Sequence, residues 1–185
     1  MAKNLGLLLT GVMAILLLAG ASCEEQPPAN ETSVTETAAL ITPSPCPVVR
    51  GEPANGLVAQ LVLDGGRTEF RQGEPIATTL FVINCGDEPV RRAYPDSQRY
   101  DFSVTNEQGQ EVWRWSHDLF FLQVIGEKIL QPDEVVTYLE VWDQTSNDGE
   151  PVPLGRYELL GLDAGCEALG ANCHFGMGLP IEITP

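Results

Sequence analysis

The sequence predicts an all-β fold, an antiparallel immunoglobulin-like sandwich of about seven strands. Three observations carry that expectation. Gly and Pro are abundant, 18 and 14 in 185 residues, and they punctuate the chain at short intervals. The apolar segments between them are short and rich in β-branched and aromatic residues. No stretch keeps the apolar spacing of a long amphipathic helix.

In chain order, residues 1–22 read as an export signal. Lys3 supplies the positive start, an apolar run extends from Leu5 to Leu18, and small residues follow at Ala19-Gly20-Ala21-Ser22. The run is too short, and too soon followed by Glu24-Glu25, for a membrane span. Two cleavage readings compete. Ala19-Gly20-Ala21 fits the small-x-small rule of ordinary signal peptidase, while Ala19 through Cys23 resembles a bacterial lipobox with Gly20 at the usual Leu position. The second makes Cys23 the lipidated first residue of the mature chain and places the protein outside the cytoplasm on a lipid anchor. Residues 23–54 are rich in Pro, Ser, Thr and Glu and read as a disordered tether, because almost nothing in them has apolar surface to bury.

The folded domain is expected over residues 55–185. Its strands are Leu57–Leu63, Pro75–Ile83, Tyr100–Thr105, Glu111–Ser116, Glu134–Trp142, Gly155–Leu162 and Leu179–Thr184. Tyr100, Phe102 and Val104 alternate with Asp101, Ser103 and Thr105, which predicts one buried face. Asn106-Glu107-Gln108-Gly109-Gln110 joins that segment to Glu111–Ser116, where Trp113 and Trp115 share a face, making this the strongest hairpin signal. A helical turn or two fits only near Cys166–Gly170.

The five cysteines are Cys23, Cys46, Cys85, Cys166 and Cys173. Lipid on Cys23 leaves four, an even number for an oxidising compartment, and four allow three pairings. Cys166 with Cys173 and Cys46 with Cys85 is the preferred set: the first ties a short loop, the second pins the end of the tether to the sandwich.

Charge and spacing exclude several function classes. A formal net charge of −16 disfavours nucleic acid, whose phosphates require Lys and Arg. Ser116-His117-Asp118 has the letters of a hydrolase triad, but neighbours on extended chain point to opposite sides, so no catalytic residue is assigned. Cys166, Cys173 and His174 lack the Cys-x-x-Cys-His spacing of haem attachment and a fourth zinc ligand, and Asp143–Glu150 lacks the ligand order of a calcium loop. No metal and no cofactor are expected. Arg91, Arg92 and Arg99 are expected to pair locally with Asp96 or Asp101 and to form no site. Phe102, Trp113, Trp115 and Trp142 are expected in the core rather than in an aromatic binding patch.

The run from Tyr100 through Val104, Gly109, Val112-Trp113-Arg114-Trp115-Ser116, Phe121, Gln123 and Leu130–Glu134, followed by Trp142, Gln144, Gly155 and Tyr157, resembles the BsuPI domain family, named for an intracellular proteinase inhibitor of a bacillus. Asp133 stands where that family usually has Gly. The resemblance implies an immunoglobulin-like sandwich and a non-enzymatic role with a protein partner. The expected function is a cell-surface binding or assembly module. The alternative is an extracytoplasmic serine-protease inhibitor acting through a rigid loop, for which the disulfide-tied segment bearing Leu169 is the candidate.

Overall fold

A computed structural model describes residue 46, residues 56–169 and residues 171–185. The expected leader 1–22, the lipidation site Cys23 and all of the tether except Cys46 lie outside the described residues. The strands are β1 Leu57–Leu63, β2 Glu69–Arg71, β3 Ile76–Asn84, β4 Val90–Tyr94, β5 Tyr100–Asn106, β6 Glu111–Arg114, β7 Gly126–Leu130, β8 Val135–Trp142, β9 Gly155–Ala168 and β10 Ala171–Thr184. Each of the seven expected segments holds a strand. Two sheets form, one of three strands in the order β1-β3-β8 and one of seven. In the larger sheet the order is β2-β10-β9-β4-β7, with β5 also on β9 and β6 on β5. The β2–β10 pair is parallel and the others are antiparallel.

One edge of β9 carries two strands in succession. Residues 157–163 pair with β5, and Cys166 pairs with Ala93 of β4. β6 and β7 follow one another in the same way along the next edge, on β5 and β4. Residues 95–99 and 115–125 are therefore the interruptions in two otherwise continuous strand rows.

Alternation explains the core. Phe102 and Val104 of β5, Leu159 of β9, Leu80 and Val82 of β3, and Trp142 of β8 are all buried in one apolar cluster between the sheets. Gly161 leaves no room for a side chain: a Cβ there would lie 2.9 Å from Leu61 Cδ1 of the other sheet and from Phe102 Cε1 of the neighbouring strand. The β5–β6 turn closes as predicted. Asn106 N–H donates to the Gln110 carbonyl at 2.9 Å, and Gly109 supplies the left-handed φ of 73°.

Three corrections follow. Among the described residues no helix forms from Cys166 to Leu169; there β9 runs out to Ala168 and β10 starts at Ala171, because cross-strand pairing continues to the Ala168–Ala171 pair. β9 and β10 are correspondingly longer than the expected Gly155–Leu162 and Leu179–Thr184. Strands β2, β4 and β7 were not expected. β2 is three residues long, and β4 reads Val-Arg-Arg-Ala-Tyr with an arginine facing inward, so neither shows an apolar period.

Candidate protein-binding surface

The aromatic residues of the sequence motif form a ladder inside the sandwich. Tyr100 stacks between Trp115 at 4.4 Å and Tyr138 at 4.8 Å between ring centroids. Trp142 lies 6.0 Å from Trp113 and 6.2 Å from Tyr157. Three of them are hydrogen-bonded within the domain: Tyr100 Oη donates to Glu140 Oε1 at 2.6 Å, Trp142 Nε1 to the Thr145 carbonyl at 2.8 Å, and Tyr157 Oη to the Pro153 carbonyl at 2.7 Å. Burial, and then the Glu140 carboxylate, push the Tyr100 hydroxyl well above the usual tyrosine range. Val112 packs against the same cluster. Phe102 and Trp142 are fully buried between the sheets as expected, whereas Trp113 and Trp115 are half-buried at the rim and line a surface depression with His117 and Asn147.

Farther along β9 the interior turns polar. Asp163, 1% exposed, accepts Arg92 Nε at 3.0 Å and Nη2 at 2.8 Å, Tyr94 Oη at 3.0 Å, Tyr138 Oη at 2.8 Å and the Gly165 amide at 3.0 Å. Arg92 also donates to the Gly165 carbonyl at 2.5 Å. Burial first, and the Asp163 charge second, push the Tyr94 hydroxyl up to about 12. Every acceptor in the cluster points at a partner within the domain, so it fastens β4, β8 and β9 and leaves no group for a ligand.

The polar side of the motif is spent similarly. Asp101 accepts Arg114 Nη1 at 2.7 Å and Ser116 Oγ at 2.7 Å, and Arg114 also pairs with Glu111. Ser116 therefore faces Asp101, while His117 Nε2 reaches Asp118 at 3.9 Å on the exposed side, which is no nucleophile–base–carboxylate line. The arginines depart from the expected pairing with Asp96 or Asp101: Arg92 takes the distant Asp163 instead, and Arg99 donates to the Asp96 and Gln98 carbonyls and lies 4.4 Å over the Tyr94 ring. Arg91 pairs with Glu127 at 2.7 Å. Gln144, buried and at φ 64°, plugs the Asp143–Glu150 loop by bonding the Gly73 amide and the Arg71 and Glu74 carbonyls. Among the described residues no group of three or more His, Cys, Asp or Glu side chains is placed to hold a metal.

What the surface does offer is apolar. Both expected disulfides are formed. Cys166–Cys173 joins directly opposed residues of β9 and β10, and Cys46–Cys85 joins the end of the tether to the residue after β3. Leu169 lies just beyond the Ala168–Ala171 pair and is 49% exposed. A second apolar element interrupts the β6–β7 row. Residues 119–125 read Leu-Phe-Phe-Leu-Gln-Val-Ile, and Leu119, Phe120, Leu122, Val124 and Ile125 are all exposed, Phe120 completely. Its main chain is fixed. Leu119 N–H donates to the Ser116 carbonyl at 3.1 Å, Leu122 N–H to Ser97 Oγ at 2.9 Å, and Ser97 N–H to the Leu122 carbonyl at 2.9 Å. Phe121 alone turns inward, its ring 6.2 Å from Trp115. Gln123 of the motif is exposed within this segment. The sequence carries one signal of this run: seven residues with a single polar one, lacking strand alternation.

A family model described as BsuPI, intracellular proteinase inhibitor, matches residues 63–165, more than half of the chain. Comparison with curated proteins finds no match. Among solved structures, the sporulation control protein Spo0M of Bacillus subtilis is 13% identical with a TM-score of 0.43, over 70% of this chain and 50% of Spo0M. The DNA glycosylase AlkC of Pseudomonas fluorescens is 9% identical with a TM-score of 0.41, over 70% of this chain and 31% of AlkC. This chain thus spans half or less of either protein, and likenesses at that level carry no functional argument.

Proposed function

The chain belongs to the BsuPI family of proteinase-inhibitor domains, and from that premise we propose that it is a non-enzymatic protein-binding module with a proteinase as partner, held outside the cytoplasm by lipid at Cys23. The observation that carries the reading is the exposed apolar run 119–125 on a rigid frame. Fully burying a large apolar side chain contributes about 1.5–3 kcal/mol, so five left in water on ordered chain mark a surface built to be covered. The side chains that chemistry would draw on, Asp163, Arg92, Asp101 and Ser116, are committed to one another. The two disulfides support an oxidising compartment, which separates this chain from the intracellular setting in the family's description.

The test is titration of the oxidised full chain against a panel of serine proteases. Inhibition of at least one below micromolar concentration is expected. Absence of inhibition across the panel at micromolar concentration refutes the proteinase partner. The second reading, an assembly module, is favoured by the outer face of β8, where Val135, Leu139 and Val141 are 37%, 61% and 53% exposed. The anchor is tested separately: palmitate label is expected on the chain and lost in Cys23→Ser, and label that survives that change overturns it.

A further inference from the structure

We propose that residues 119–125 are the segment that enters the proteinase, with Phe120 filling an apolar specificity pocket; this rests on the proteinase reading above. The partner is an endopeptidase that prefers a large aromatic or aliphatic residue before the cleaved bond.

Three observations converge on Phe120. Its side chain is completely exposed, whereas the motif aromatics Phe102 and Trp142 are 1% exposed. Its neighbours are pinned on both sides, Leu119 through the Ser116 carbonyl, Phe121 through the Trp115 ring, and Leu122 through both of its main-chain groups on Ser97. The flanking residues are apolar on both sides, so a cleft would bury Leu119 and Leu122 together with the Phe120 ring. An inhibitor gains affinity when its ordering cost has been met before binding, and a clamped main chain beside a free side chain satisfies that condition.

The tied tip at Leu169 is built differently. β-pairing runs out to the Ala168–Ala171 pair just before it, so Leu169 sits at the end of a strand ladder and not in a gap between two strand rows. Glu167 also lines the same shallow depression as Gly56 and Gly86. The tip thus lies at the same end of the domain as the Cys46–Cys85 bond.

The experiment measures inhibition constants of the oxidised full chain and three variants against chymotrypsin, subtilisin and trypsin. Wild type is expected to inhibit an aromatic-preferring enzyme. Phe120→Gly is expected to weaken that inhibition by at least about 30-fold, the loss typical of a central anchor residue. Phe120→Arg is expected to shift preference toward trypsin, a gain that no loss of folding imitates. Leu169→Gly is expected to change nothing. Inhibition that survives Phe120→Gly, or that disappears in Leu169→Gly, overturns the assignment while leaving the proteinase reading intact. A wild-type chain that inhibits none of the enzymes overturns both. Circular dichroism of each variant checks the fold, which Phe120 changes leave unaltered because the ring touches solvent alone.

Discussion

β9 passes through two interiors. Over its first half, Tyr157 and Leu159 face the apolar cluster with Phe102, Val104 and Trp142, across β5. Over its second half, Asp163 faces Arg92, Tyr94 and Tyr138, and the neighbouring strand changes from β5 to β4. The apolar half is held by non-directional burial, the polar half by five hydrogen bonds to one carboxylate. Burial tolerates small shifts; a shared acceptor does not. The run 119–125 lies where the two halves meet, with Phe121 on the Trp115 ring of the apolar half and Leu122 on Ser97, between β4 and β5. A binding segment sprung between two differently fastened frames is held from both ends.

The largest expected effect breaks the polar half. Asp163→Ala leaves a guanidinium buried without a counter-charge and is expected to cost about 3–5 kcal/mol in urea unfolding. Replacing the four side chains, Arg92→Met, Asp163→Leu, Tyr94→Phe and Tyr138→Phe, is expected to recover part of that loss, since the apolar groups need no partners while the Gly165 amide and carbonyl lose theirs. A four-fold variant no more stable than Asp163→Ala means that the cluster is held for more than its charge balance.

The same division decides what was legible in the sequence. The apolar half was readable: Tyr100, Phe102 and Val104 alternate with polar residues, and β5, β6, β8 and the start of β9 fell where periodicity placed them. The polar half was not. Arg92 and Asp163 point inward with the sign of surface residues, so no apolar period marks β4 and the period of β9 stops at Leu162. Only their mutual distance identifies them as interior, and sequence separation hides that distance. Cysteine parity was legible because pairing is discrete, and both bonds formed as expected. The exposed run 119–125 was not, because an apolar run reads as core until its exposure is known.

Next in size is the clasp beyond the polar half. Cys166→Ser with Cys173→Ser opens a loop whose ends are 7 residues apart, and chain-entropy reasoning gives a loss of about 2.5 kcal/mol. Protection of β4 amides against hydrogen exchange is expected to fall with it, because Ala93 pairs with Cys166, while β5 amides stay protected. Equal loss in both strands would remove the boundary between the halves.

Alkaline titration sharpens the same boundary. The Tyr94 hydroxyl lies at about 12 in the folded chain and near 10 when unfolded. Between those values the folded state keeps a proton that the unfolded state releases, so stability is full below pH 10 and falls as pH rises toward 12. The loss is on the order of 2 kcal/mol for this group. Tyr94→Phe is expected to flatten part of that fall; an unchanged alkaline limb would place the proton release elsewhere, on Tyr100, Tyr138 or Tyr157, which burial also raises.

The smallest effect lies in the apolar half. Thr78 of β3 is 2% exposed, and its Oγ1 is the buried side-chain polar atom without a hydrogen-bond partner among the described residues. Its strand neighbours Ile76 and Leu80 face the apolar cluster, which supplies no donor or acceptor at that position. The polar half satisfies its interior groups collectively; here one hydroxyl is left out of an otherwise apolar layer. Valine has the same branched shape and no hydroxyl, so Thr78→Val is expected to stabilise by about 1 kcal/mol, the desolvation cost of an unpaired hydroxyl. The urea midpoint reads it directly. A midpoint that falls instead shows that the hydroxyl is bonded in solution, which would extend polar fastening into the half that otherwise lacks it.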